Sequence, residues 1–252
     1  FSFSASNISN DHLGDLIIDD YNQKWFYIAK GKGLAVYNDN NTLEISNDDQ
    51  SKLLNTTSGN GELPSNYIYS LAKDRDGEIW IGTDMGIAVI YNPENVFNGQ
   101  NYDAQQILVE TADGYIEPIL ANEKITAISI DGANRKWIGT QSSGLFLYSE
   151  DGTEKLLHFT EKNSPLFSNR ITDIDINHQN GEVFIGTDKG LLSYNSGATI
   201  GNKKHGDVLI YPNPVRENYT GPIAIKNLVE DAQVKITDTN GKLVQEFRAL
   251  GG

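Results

Sequence analysis

The chain contains no cysteine among its 252 residues and a single methionine. Without a thiol there is no disulfide, no thiolate metal centre and no cysteine nucleophile. No apolar run approaches the roughly 20 residues that a membrane-spanning helix needs. No stretch repeats its apolar residues at helical spacing. The first residues, "FSFSASNISNDHLGDL", lack a charged start followed by an apolar core, so they are not a signal peptide, and an export signal is expected outside this stretch. There is no G-x-S-x-G elbow and no phosphate-binding glycine loop. The four histidines (His12, His158, His178, His205) have no metal-ligand spacing such as H-E-x-x-H. No catalytic residue, metal site or cofactor is therefore assigned.

Positive charge is scarce as well: 20 lysines and arginines stand against 34 acids, for a net charge of −14. The deficit is uneven. From Lys203 onward seven bases and six acids nearly cancel, which leaves −15 on the preceding 202 residues. Phosphate recognition needs clustered lysine and arginine, so nucleic acid is excluded as a partner. The change in charge marks a boundary near residue 203.

What the chain does have is a repeat. The letters WIGT occur at Trp80–Thr83 and Trp137–Thr140, and FIGT at Phe184–Thr187. Aligned on the aromatic residue, four units appear, anchored at Trp25, Trp80, Trp137 and Phe184 and spaced 55, 57 and 47 residues apart. A period near 50 is a propeller spacing. In each unit a short β-branched strand, such as Ile125–Ile130, leads through an Asp/Asn/Gly turn to the aromatic residue and a second strand. A glycine-containing turn then leads to a third strand ending near Tyr37, Tyr91, Tyr148 or Tyr194, and "KLLHFT" at Lys155–Thr160 reads as a fourth strand. A packing residue is needed once per blade and a catalytic group is not, so WIGT reads as structure: the aromatic fills the gap between stacked sheets.

The tail reads differently. Gly197–Gly206 is rich in Gly, Asn and Lys and is expected to be a linker. Val208–Tyr211 is a strand that stops at Pro212, and "PNP" is expected to be stiff and extended. Ile223–Leu228 is a short strand. "AQVKITDTNGKLVQEF" alternates on both sides of Asn240-Gly241, a hairpin signal. Together these make the first half of a small β-sandwich.

Several sharper readings compete with turn and strand chemistry. "DRDGE" at Asp74–Glu78 has the acids of a calcium loop. The same slot in the other units reads "DDYNQ", "DGANR" and "NHQNG", so a strand-connecting turn is the expectation. The sialidase aspartate box fails, because Lys73 and Arg75 stand where its Ser and Asp belong. No spacing selects an acid pair for glycoside hydrolysis. "NKKHG" at Asn202–Gly206 is read as linker rather than as an anion patch.

"ITAISIDGANRKWIGTQSSGLFLYSEDG" resembles the two-component regulator propeller repeat, and the resemblance extends over roughly residues 10–196. It implies blades of a seven-bladed ring, with "FSFSAS" as the outer strand of a preceding blade. "YPNPVRENYTG…IAIKNL…VKITDTNGKLV" resembles the C-terminal sorting domain of the type IX secretion system, carried by Tyr211, Pro212, Asn213, Pro214 and Val215 and by Asp238 and Gly241 in the hairpin. The expected fold is all-β: propeller blades over residues 1–200, then the N-terminal half of an immunoglobulin-like sorting domain over 207–252. Propeller plus sorting domain resembles the propeller component of the type IX attachment complex. That resemblance implies a non-enzymatic cell-surface protein of the outer membrane whose partners are a sortase, an outer-membrane barrel and a shuttle protein, and which binds anionic lipopolysaccharide. An anionic glycan fits poorly with a propeller of net −15 unless a local basic patch exists. Two alternatives stand beside this reading: an oligosaccharide-sensing ectodomain of a hybrid two-component system, and a secreted propeller that binds or hydrolyses glycans.

Overall fold

A computed structural model describes residues 12–251 except 43, 46, 112, 202–205, 222, 230–231 and 250. The expected first strand "FSFSAS" and most of "NKKHG" lie outside the described residues. Among the described residues the regular structure is β throughout, apart from one 3-10 turn at Pro93–Asn95.

The chain forms successive antiparallel meanders. The first holds β1 (Leu13–Ile18), β2 (Lys24–Ile28), β3 (Gly33–Asn38) and β4 (Gln50–Leu54) in sequence order. The second holds β5 (Ile68–Lys73), β6 (Ile79–Thr83) and β7 (Gly86–Ile90). Its fourth-strand place is taken by a single bridge from Val89 to Gln105 and by a hairpin of β8 (Leu108–Glu110) and β9 (Ile116–Pro118). The third holds β10 (Ile125–Ile130), β11 (Lys136–Thr140), β12 (Leu145–Tyr148) and β13 (Lys155–Phe159). The fourth holds β14 (Ile171–Asn177), β15 (Glu182–Thr187) and β16 (Gly190–Asn195). β1, β5, β10 and β14 run side by side, which makes these meanders propeller blades around a common axis. The third-strand tyrosines sit as expected, except that Tyr91 falls one residue beyond β7.

The core is divided between neighbouring blades. Trp25 packs with Leu71 and Ile79 of the second blade, Trp80 with Ile125 and Ile128 of the third, and Trp137 with Ile171 and Ile174 of the fourth. All three indoles are fully buried. A tryptophan removes roughly 150–250 Å² from water, on the order of 4–6 kcal/mol each at the usual transfer coefficient. Phe184, at the same position in the fourth blade, is only half-buried. The glycine of WIGT is where the next blade closes in: a Cβ at Gly82 would lie 2.7 Å from Ile125 Cγ2, and one at Gly139 would lie 2.5 Å from Ile171 Cγ2. The threonine closes the following turn. The hydroxyls of Thr83, Thr140 and Thr187 donate to the carbonyls of Gly86, Gly144 and Gly190 at 2.8–2.9 Å. Each letter of WIGT thus has a packing or turn role.

The tail makes two hairpin sheets: β17 (Leu209–Tyr211) with β18 (Ala224–Lys226), and β19 (Gln233–Thr237) with β20 (Leu243–Arg248). A small apolar cluster of Leu228, Ala232 and Ala249, with Ile225 and Val234 against it, joins them. The Tyr-Pro-Asn-Pro segment is bent rather than straight, and both of its X–Pro bonds are cis. The Asn240-Gly241 hairpin forms, but through a five-residue turn. Only Gly241 of the pair has positive φ (82°), and a register shift follows Ile236, as in a turn closed by a glycine bulge.

Candidate functional site

The strand-connecting turn is built on one carboxylate. In blade one Asp19 Oδ1 accepts from the amides of Tyr21 (2.9 Å) and Gln23 (2.8 Å). Asp74 Oδ1 does the same for Asp76 and Glu78, and Asp131 Oδ1 for Ala133 and Arg135. The second oxygen accepts the indole N–H of the tryptophan six residues on: Asp19–Trp25 at 2.9 Å, Asp74–Trp80 at 3.1 Å and Asp131–Trp137 at 3.2 Å. A buried indole N–H needs an acceptor, and a buried carboxylate needs donors. In the fourth unit the first turn residue is Asn177, the spacing to the aromatic is one residue longer, and the aromatic is a phenylalanine with no N–H to satisfy. As expected, the slot is a strand-connecting turn with no fixed ligand set. Its constant feature is an aspartate six residues before each tryptophan.

These bonds decide how "DRDGE" works. Asp74 is 3% exposed and its oxygens are occupied by the two amides, the indole and the ammonium of Lys136 at 3.1 Å. Lys136 is fully buried. It donates to Asn134 O (2.8 Å) and Glu150 O and lies 4.7 Å from the Trp80 ring centre. This buried pair joins blades two and three. Burial, with the Asp74 charge beside it, pushes the Glu78 carboxyl up to about 7. The two acids are close, yet Asp74 is engaged on every side by structure and offers no lone pair to a substrate. Among the described residues no group of three or more acids and histidines is placed to hold a metal ion.

Charge is sorted by end. In an antiparallel meander the first–second and third–fourth turns emerge at one end, and the second–third turns and blade connectors at the other. Backbone bonds from Asp84 to Tyr67, Gly86 to Glu123 and Gly144 to Asn169 tie the latter set together. At the first end, the turns at 19–23 carry two acids, 39–49 four, 74–78 three and 149–154 three, while 131–135 carries one acid and one base, and Arg75 and Arg135 are the bases in those stretches. Lysines at strand ends offset part of this, as Lys24 does for Asp39 (2.8 Å) and Lys73 for Asp20. The hydrogen bond from Lys24 holds the Asp39 carboxyl below its usual range. At the opposite end Lys30, Lys32, Lys124, Lys162, Arg170 and Lys189 stand against Glu62, Asp84, Glu110, Asp113, Glu117, Glu123, Glu161 and Asp188, six bases to eight acids. Acids thus dominate the turns at the first end, while further carboxylates such as Asp15 and Asp173 lie on the inner strands β1 and β14.

The sorting-motif residues lie at exposed positions on the two tail hairpins. Tyr211 ends β17 at 72% exposed, and Pro214 and Val215 follow it in the open. Asp238 and Gly241 form the β19–β20 turn, where Asp238 Oδ1 accepts from Asn240 and Lys242, both at 2.9 Å. His158 stacks on Phe146 at 4.0 Å and bonds Ser143 O at 2.7 Å, so it is part of blade packing.

Comparison with known proteins agrees with both halves of this description. Residues 62–85 match the two-component regulator propeller family, and residues 209–250 match the secretion system C-terminal sorting domain. The chain is similar to PorZ of Porphyromonas gingivalis, described as an essential bacterial surface component of the type IX secretion system: 32% identity, a TM-score of 0.70, and coverage of 99% of this chain and 35% of that one. The extracellular domain of a hybrid two-component system from B. thetaiotaomicron shares the fold, with 22% identity, a TM-score of 0.54, and coverage of 77% of this chain and 22% of that one. Among curated proteins, Histidine kinase P4 of Formosa agariphila is 31% identical over 137 residues, which is 50% of this chain and 9% of the kinase. The chain thus spans about a third of the PorZ structure and a small part of the kinase. It carries a regulator-type propeller repeat and a C-terminal sorting domain, and its structure is similar to that part of PorZ.

Proposed function

We propose that this chain serves at the bacterial cell surface as a non-enzymatic component of the type IX attachment machinery. The propeller, residues 1–200, is the docking platform, and the sorting domain, residues 207–252, is the export signal and anchor. One observation supports the reading: a regulator-type propeller and a sorting tail stand on one chain, and 99% of that chain aligns with about a third of PorZ. The partners are a sortase, an outer-membrane barrel and a shuttle protein. Anionic lipopolysaccharide is the glycan ligand, and it meets the end bearing Lys30, Lys32 and Lys124, because repulsion disfavours the acidic end. Tyr211–Val215 and the Asp238–Gly241 turn are the surfaces read by the export machinery.

The kinase similarity supports a second reading, an oligosaccharide-sensing ectodomain. Capture of the tagged full-length protein from solubilised outer membranes, with co-purifying proteins identified by mass spectrometry, separates the two. Recovery of a type IX sortase and barrel supports the attachment role. Their absence, with the protein fractionating with inner-membrane kinase domains, supports the sensor. Release into the medium with the tail removed makes it ordinary cargo.

A further inference from the structure

The stretch expected to be a solvated linker lies against the propeller. Ser196 donates through its amide (3.0 Å) and hydroxyl (2.8 Å) to Gly181 O, and the Ile200 amide donates to His178 O at 3.2 Å. Two glycines make room for it. A Cβ at Gly132 would lie 2.1 Å from Thr199 C, 2.2 Å from Thr199 O and 2.5 Å from Ile200 N, and one at Gly181 would lie 2.8 Å from Ala198 N. These are backbone atoms and cannot swing aside as a side chain would. Gly181 has a second reason to be glycine, its φ of 72°. Gly132 is not among the positive-φ residues, so space is its sole requirement. The same turn position carries Asp20, Arg75 and His178 in the other blades and Thr239 in the tail. Glycine stands there in the third blade alone, which is where the chain crosses. From the other side Gly251, three residues past β20, closes on the same spot: a Cβ there would lie 2.6 Å from Thr199 O and 3.0 Å from Gly132 O.

We infer that residues 196–201 are a strap seated over the first turns of blades three and four, and that Thr199, held between Gly132 and Gly251, fixes the tail sheets against blade three. The tail is then a rigid arm beside the acidic end of the propeller, not a signal on a loose tether. A protein that reads the tail must take it together with blade three or pull it from this seat.

The absence of native cysteine makes the test direct. Ser142→Cys and Thr239→Cys, both at exposed positions, place one spin label on the propeller and one on the tail. Pulsed electron resonance should give a single narrow distance, and Gly132→Val should broaden it severalfold. A broad distribution in the parent overturns the inference. So does a narrow one in a Gly132→Val protein that still unfolds cooperatively. Hydrogen exchange on the unaltered chain is the independent check should Gly132→Val fail to fold. The Ser196 and Ile200 amides should exchange on the order of a hundredfold slower than in an unstructured peptide, and exchange at the peptide rate overturns the seat.

Discussion

Asp131–Arg135 in the third blade and Asp238–Lys242 in the tail fold into the same turn. In both, an aspartate oxygen accepts from the amides two and four residues on, and the fourth residue has positive φ, Asn134 at 56° and Gly241 at 82°. Their surroundings differ. Asp131 is fully buried and gives its other oxygen to Trp137 and Arg135. Asp238 is exposed, and the residue six positions on is Val244, 68% exposed. The blade turn is locked to the core of the next blade, whereas the tail turn is held only locally. The same local chemistry therefore contributes differently to stability, because the cost of losing a hydrogen bond depends on whether water can replace it.

Breaking the blade side should have the largest effect. Trp137→Ala removes a fully buried indole and one of the donors to Asp131 Oδ2, leaving Arg135 on that oxygen, and about 3–5 kcal/mol should be lost in denaturant unfolding. Phe184→Ala, at the half-buried anchor, should lose roughly half as much; equal losses would mean that the fourth anchor is as well packed as the third. The turn itself is the next test. Asp131→Ala should cost about 2–3 kcal/mol and Asp238→Ala less than about 1 kcal/mol, and similar values would dissolve the contrast. Gly139→Ala forces a methyl onto Ile171 and should cost about 1–3 kcal/mol, while Gly241→Ala pays only for positive φ, about 1 kcal/mol.

The smallest effect is a dependence on pH. The Glu78 carboxyl is raised to about 7 in the folded state, above its ordinary value. Its contribution is therefore fully present in acid below that ordinary value and is lost as pH rises through about 7. Glu78→Gln should thus raise the melting temperature relative to the parent at pH 8 and leave it little changed at pH 5. Asp39 works in the opposite direction. Its carboxyl is held low by Lys24, so its contribution is present near neutrality and is lost as pH falls through its folded value.

Much of this was legible in the chain. The strands around Trp80 and Trp137, the fourth strand at "KLLHF" and the tail hairpin lie where pattern and turn residues put them, because strand period and turn chemistry are local. The Asp-to-indole bond was legible in principle, as a constant spacing of six, but its meaning needed the burial that makes an unpaired N–H costly. Lys136 was not legible. Nothing in "NRKWIG" distinguishes a lysine whose ammonium lies between Asp74 and the Trp80 ring from a solvated one. "SGATIG" has a linker's composition, and only its seat on Gly132 and Gly181 reveals a strap.

By itself the sequence determined the blade repeat, the change of character near residue 203 and the sorting motif, since each rests on spacing and backbone preference along the chain. The tertiary structure alone decided which aspartates are sealed against tryptophans, that acids dominate the turns at one end of the propeller, and where the tail is held. Those depend on side chains brought together from different blades, and neither Coulomb energy nor steric exclusion between them is written in any single stretch of sequence.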